Sequence, residues 1–179
     1  MNDSDKKNEA GTLLTLTLCY FVSFLLIFVD WFTKYVVSHN MSLGGQVNVI
    51  NGFLSLYYVR NTGSAFSFLA NTNWGIYFFS VVSFVMGILL ILAVKRSLRC
   101  NYMLFTVSLV LLIAGAFGNL IDRVRFHYVI DFIRFDFGSY TFPIFNVADI
   151  CAVFGTAFLI IVLIFKSSKI ENFFDKKQA

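Results

Sequence analysis

Asp131 and Asp149 stand 18 positions apart in a short polar segment between two long apolar runs. Two carboxylates held at the edge of a membrane suit aspartyl-type hydrolysis. If they meet, their repulsion keeps one proton between them, so that one deprotonates a water while the other protonates or hydrogen-bonds a scissile carbonyl. Neither a metal nor a nucleophilic serine is needed. Carboxylates are costly near hydrocarbon, and keeping two there beside Asn146, Arg123 and Arg134 points to chemistry or ion traffic. A plainer account exists for Asp149. It opens the fourth apolar run, where free helix N–H groups favour a carboxylate, but capping alone leaves Asn146, one turn earlier, unexplained.

The elements that must position these groups follow from composition. Of 179 residues, 58% are hydrophobic and 13% charged, against about 45–50% and about 25% in soluble domains. The chain is therefore expected to be a single integral membrane domain over residues 1–179. Apolar runs at about residues 13–29, 74–94, 102–121 and 150–165 each approach the roughly 20 residues a spanning helix needs, and none has an ionisable side chain in its interior. The polar segments 30–73 and 122–149 lie between them. Lys6 and Lys7, then Lys95, Arg96 and Arg99, then Lys166, Lys169, Lys176 and Lys177 mark one side, and by the excess of Lys and Arg that side is cytoplasmic. Both termini then face the cytoplasm and the carboxylates the outer surface. The first run offers no small-residue cleavage site at Val29-Asp30-Trp31-Phe32, so it is expected to be retained as a span.

Segment 36–73 is too polar to span and carries the turn signals Gly44-Gly45, Asn51-Gly52 and Asn61-Thr62-Gly63 around an aromatic and aliphatic stretch, residues 53–59. A small β-rich cradle on the outer leaflet is expected there. Gly138-Ser139 marks a further turn, in a region apolar enough to lie in the interface. The expected fold is thus an all-α membrane protein, a four-transmembrane-helix bundle with a small extracytoplasmic β-rich cradle.

The formal charge of +4 is spread through the short connecting segments with no aromatic-interleaved cluster, so no nucleic acid partner is expected. Cys19, Cys100 and Cys151 show neither an even set nor a ligand spacing, and no disulfide, metal or other cofactor is expected. Asp30 and Lys34 are four apart, which on a helix reads as an interfacial ion pair with Trp31 at headgroup level. Asn61 is either a simple turn residue or an amide offered to an extended peptide. Ala114, Gly115 and Gly118 suit close helix packing, whereas Asn119 and Arg123, four apart, would point a donor-rich pair toward the outer segment. His39 and His127 have no spacing that suggests a ligand or base.

Five segments in order carry a resemblance: Asp30-Trp31-Phe32-Thr33-Lys34, Asn61-Thr62-Gly63-Ser64-Ala65-Phe66, Gly118-Asn119-Leu120-Ile121-Asp122-Arg123, Val129-Ile130-Asp131-Phe132-Ile133, and residues 142–149 ending in Asn146-Val147-Ala148-Asp149. Over essentially its whole length the chain resembles the lipoprotein signal peptidases, the type II signal peptidases of bacteria. The resemblance implies that Asp131 and Asp149 are a catalytic dyad, that Asn61, Asn119, Arg123 and Asn146 line the substrate site, and that Asp30, Lys34, Gly63, Ala65 and Phe66 give structural support. It further implies an aspartic-type endopeptidase of the bacterial cytoplasmic membrane, acting near the outer face. Its substrates would be diacylglyceryl prolipoproteins, cut before the lipidated cysteine, and membrane lipids would be its other partners. The chain is expected to work as a monomer. Two positions depart from the family pattern, Ala114 for a usual Gly and Trp31 for a frequent Gln, and neither touches the dyad. Phe53, Leu54 and Phe66 are candidate acyl-chain contacts. The competing reading is a small four-span proton-coupled transporter, which should place an acid inside a span.

Overall fold

The computed structural model describes residues 3–63, 74–98 and 102–165. Ala65, Phe66, Cys100 and Lys166 onward lie outside the described residues. Four helices, α1 (Asp3–Asn40), α2 (Gly75–Ser97), α3 (Met103–Phe126) and α4 (Val147–Phe165), are each long and apolar enough to cross a membrane. Between them lie β1 (Gln46–Ile50), β2 (Leu54–Asn61), β3 (Val129–Phe137) and β4 (Tyr140–Thr141), one antiparallel sheet in the order β1-β2-β3-β4. The expected architecture of four spans and a small sheet is therefore observed.

Every span is longer than its apolar run. α1 continues to Asn40, 11 residues past the expected end at residue 29, and its 38 residues extend about 57 Å, well beyond the roughly 30 Å of hydrocarbon. α3 runs to Phe126 rather than residue 121, and α4 starts at Val147 rather than 150. The runs end where charges begin, but the helices do not, because Asp30, Lys34 and Asp122 are buried against one another. The outer segments shrink accordingly.

α3 is the central helix, buried along most of its length, while α1 and α2 turn apolar side chains such as Phe24, Val81 and Leu92 outward. Its approach to α4 depends on small residues. A Cβ on Gly115 would lie 2.8 Å from the Ala148 carbonyl oxygen and 2.8 Å from the Ala152 Cβ, and one on Gly118 2.9 Å from an Asp30 carboxylate oxygen. Close backbone contact of this kind is how helices associate where lipid removes the hydrophobic drive. Toward the far end of the bundle Val94, Phe105, Leu109, Ile113 and Val162 form the core.

At the other end Val37, Tyr58, Ile130 and Phe132 pack together, joining α1 to β2 and β3. The turn between β1 and β2 uses Gly52 at φ 73°, and that between β3 and β4 uses Gly138 at φ 63°, conformations that glycine adopts without the Cβ penalty. β3 lies beside β2 with Val59 opposite Asp131 and Asn61 opposite Val129. After β4 the chain returns to β3, where Phe145 exchanges backbone hydrogen bonds with Ile133 at 2.8 and 3.1 Å. His127 closes α3 in the left-handed conformation, its N–H donating to the Arg123 carbonyl. This backbone role is what the sequence left unassigned.

A Gly115→Val variant should lose roughly 1–3 kcal/mol through overpacking of backbone on backbone. Thermal unfolding of the purified protein in detergent checks it, with the open turn position Gly52→Asn as a control.

Candidate active site

α4 begins with a reciprocal cap. The Asn146 side-chain oxygen accepts the Asp149 backbone N–H at 3.0 Å, and the Asp149 carboxylate accepts the Asn146 backbone N–H at 3.1 Å. This is a capping box with Asn at the cap and Asp three residues on. Capping thus explains Asp149, and Asn146 with it. It does not exhaust either residue. The Asn146 amide nitrogen also donates to Asp131 at 2.6 Å, to Asn119 Oδ1 at 3.0 Å and to the Ile130 carbonyl at 3.3 Å, and Asn119 Nδ2 donates to Asp149 Oδ1 at 2.8 Å. The two amides join the carboxylates of β3 and α4 into one network.

Asn61, at the end of β2, is a turn residue and more than that. Its Oδ1 accepts the Gly63 N–H at 2.9 Å, a turn, while Nδ2 donates to Asp131 Oδ2 at 2.9 Å. The amide therefore holds a carboxylate and is not free to grip a peptide. Gly63 is buried within this turn.

Asp131 is 2% exposed. Burial, and after it the charge of Asp149, pushes its carboxyl up to about 7, against the opposing effects of the Asn61 and Asn146 amides and of Lys34. A carboxylic acid that carries its proton close to neutrality is suited to general acid chemistry.

Beneath this pair lies a group that the sequence placed elsewhere. Lys34 Nζ sits 2.7 Å from Asp30 Oδ2, 3.0 Å from Asp122 Oδ2 and 3.0 Å from Asn119 Oδ1, and Lys34 and Asp30 are each 1% exposed. The Asp30–Lys34 pair is thus not interfacial. Trp31 does face outward, stacked with Tyr35 at 5.7 Å, while its neighbour Asp30 turns into the bundle and accepts the Ala148 N–H at 2.7 Å. Asp122 was given no role by sequence reasoning. It accepts the Ile130 N–H at 3.1 Å and so ties β3 to α3. The usable signal was its spacing, three residues after Asn119 on the same helix face.

A cavity of about 570 Å³ opens over the pair, lined by Asn61, Asn119, Arg123, Asp131 and Asp149 with an apolar wall from Tyr140 to Phe145 and from α4. Ordinary ligand pockets have this size and this mostly apolar character with a few polar groups. Arg123 borders it with its guanidinium 5.8 Å from the Phe79 ring, and its buried Nε has no hydrogen-bond partner among the described residues. Arg134 is not part of the site: it pairs with Asp136 at 2.9 Å, which holds the Asp136 carboxyl below the usual range. Phe53 and Leu54 are also off the cavity. Phe53 packs on Phe135 and Phe137, and the apolar wall comes instead from Phe142, Pro143, Ile144, Phe145 and Phe154. No group of three or more metal-capable side chains occurs among the described residues.

Replacing Asn146 by Ala should cost roughly 0.5–2 kcal/mol, the price of a lost helix cap. Thermal denaturation in detergent tests this, and an unchanged midpoint would show that α4 does not depend on the cap.

The chain is similar to known proteins over most of its length. The family model described as signal peptidase (SPase) II matches residues 22–165. A lipoprotein signal peptidase of Coxiella burnetii is 43% identical over 82% of this chain and 90% of its own length, and one of Syntrophus aciditrophicus is 38% identical over 81% and 91%. One from Listeria monocytogenes is 37% identical over 86% and 97%. A solved structure described as a bacterial membrane enzyme superposes with a TM-score of 0.76 at 32% identity, covering 85% of this chain and 90% of that one.

Proposed function

Because the chain belongs to the signal peptidase II family, we propose that it cleaves diacylglyceryl prolipoproteins immediately before the lipidated cysteine, with Asp131 and Asp149 as an aspartyl dyad. It is a multi-pass membrane protease of a family that removes signal peptides from lipoproteins. The finer reading rests chiefly on one observation: two carboxylates from different elements share a network of side-chain amides at the floor of one apolar cavity.

The chemistry follows from that placement. The pair retains one proton in the resting state because burial, and after it the Asp149 charge, raises the cost of ionising Asp131. The ionised carboxylate takes a proton from a water, which attacks the scissile carbonyl, while the protonated partner donates to the carbonyl oxygen. As the tetrahedral intermediate collapses, the carboxyl that took the water proton passes it to the leaving nitrogen, the carbonyl oxygen returns its proton to the other carboxylate, and the C–N bond breaks to release the amine of the lipidated cysteine. Asn61, Asn119 and Asn146 hold the carboxylates in place, and Arg123 presents donors to substrate carbonyls. The aromatic wall from Tyr140 to Phe145 serves as the cover over the cavity and takes up apolar parts of the substrate. Both termini lie in the cytoplasm with the sheet and cavity at the outer face, as the Lys and Arg excess at the opposite ends supports, and the protein works as a monomer.

A proton-coupled carrier is favoured by one fact, the burial of Asp30 and Asp122 inside membrane-crossing helices. Both are, however, bound to Lys34 and to main-chain N–H groups, which suits a fixed scaffold better than cargo exchange.

Asp131→Asn and Asp149→Asn should each lower cleavage of a diacylglyceryl prolipoprotein by on the order of a thousandfold or more while the protein still inserts and folds. A gel-shift assay in lipid, with the unlipidated precursor as control, checks this. Substantial turnover by either variant would reject the dyad. In the same assay, wild-type cleavage should fall as the pH rises through about 7, where Asp131 loses its proton.

A further inference from the structure

We propose that Lys34, which hydrogen-bonds to neither carboxylate of the dyad, is a positioning residue that assigns the resting proton to Asp131 and the charge to Asp149 by fixing the orientation of the Asn119 amide. The inference rests on the dyad reading above and adds a direction to it.

An ammonium group has three donors and no acceptor. Lys34 Nζ donates to Asn119 Oδ1 and is ion-paired with Asp30 Oδ2 and Asp122 Oδ2. The same Asn119 oxygen accepts the Asn146 amide at 3.0 Å. Both of its lone pairs are then used, and the Asn119 amide nitrogen has one direction left, the Asp149 carboxylate at 2.8 Å. Turning this amide over would set its N–H groups against the Lys34 ammonium and the Asn146 amide, and its oxygen against a carboxylate. Donor would meet donor on one side and acceptor would meet acceptor on the other, around an amide that is largely buried. Lys34 therefore acts on Asp149 through one intervening side chain.

The rest of the surroundings separates the two acids in the same sense. Asp149 is half-buried, accepts the Asn146 backbone N–H, and lies in the first turn of α4, where the helix dipole favours an anion. Asp131 is on a strand, almost fully buried, and among the described residues its carboxylate accepts only the side-chain amides of Asn61 and Asn146. The charged and titratable groups around the pair are Lys34 and Asp30 from α1, Asp122 and Arg123 from α3, Tyr140 from β4 and Cys151 from α4. Among them only Lys34 reaches a side chain that donates directly to a dyad carboxylate. In the resting enzyme Asp149 is then the base that receives the water proton, and Asp131 the acid that meets the carbonyl oxygen.

The test compares Lys34→Met, Asn119→Ala and Asp122→Asn in full-length protein in nanodiscs, with pH profiles of prolipoprotein cleavage. Asp122→Asn removes an ionic partner of Lys34 but keeps the contact between Lys34 and Asn119. A merely structural Lys34 makes Lys34→Met and Asp122→Asn alike. The proposal expects Lys34→Met and Asn119→Ala to move the acidic limb of the profile up by about one pH unit, and Asp122→Asn to keep the wild-type limb. Should Lys34→Met fail to fold, Asn119→Ala against Asp122→Asn decides, and a wild-type limb in folded Asn119→Ala overturns the proposal. Infrared difference spectra below pH 7 give a readout independent of turnover. The protonated-carboxyl band of the wild type should vanish in Asp131→Asn; its persistence there overturns the assignment of the proton even if the dyad itself is upheld by the cleavage assay.

Discussion

One ammonium group holds the sheet-bearing half of the molecule together. Lys34 meets Asp30 of its own helix and Asp122 and Asn119 of α3, and the two carboxylates pass the connection on, Asp30 to the first turn of α4 and Asp122 to the backbone of β3. Three helices and the sheet thus converge on a point that water does not reach. Burying such ions is expensive, and the arrangement is stable only because each charge has several partners in good geometry; removing one partner of a buried pair ordinarily costs about 3–5 kcal/mol. Gly118 lies against the same cluster, since any side chain there would push on the Asp30 carboxylate. The helix contact and the ion cluster are therefore one constraint.

The sheet has a matching task. β3 pairs with β2, so that Asn61 and Asp131 come from adjacent strands, and the return of the chain at Phe145 brings Asn146 and α4 under the same strand. The carboxylates come from a strand and from a helix start, two rigid elements, and the amides between them set their relative position. A loop could carry the same residue types but not this fixed geometry.

Much of this was legible in the sequence, and the failures have a common cause. The number of spans follows from runs of apolar residues, the sheet from the turn residues around residues 44, 52 and 138, and the participation of Asn61, Asn119, Arg123, Asn146 and the two aspartates in one site from the order of five short motifs. The helix ends did not follow. A hydropathy reading stops at the first charge, so Asp30, Lys34 and Asp122 looked like loop or interface residues, whereas charges that neutralise one another inside a bundle extend the helix instead of ending it. For the same reason Asp30 and Lys34 passed as a surface pair. Which aromatics line the cavity was beyond reach as well: with 23 Phe residues in the chain, composition cannot separate those facing the cavity from the rest, and Phe53 packs on Phe135 and Phe137 instead of lining it.

The capping box at the start of α4 has an evolutionary corollary. Asn146 and Asp149 close the end of a membrane-crossing helix with their main-chain bonds, and they do so whether or not any peptide is ever cut. Asp30 and Lys34 likewise serve the bundle irrespective of turnover. A duplicated copy that had lost its substrate would still be under selection to keep these side chains in order to fold. Signature residues at these positions are therefore poor witnesses of activity in degenerate relatives, whereas the buried carboxyl of Asp131, pushed up to about 7, weakens the fold at neutral pH.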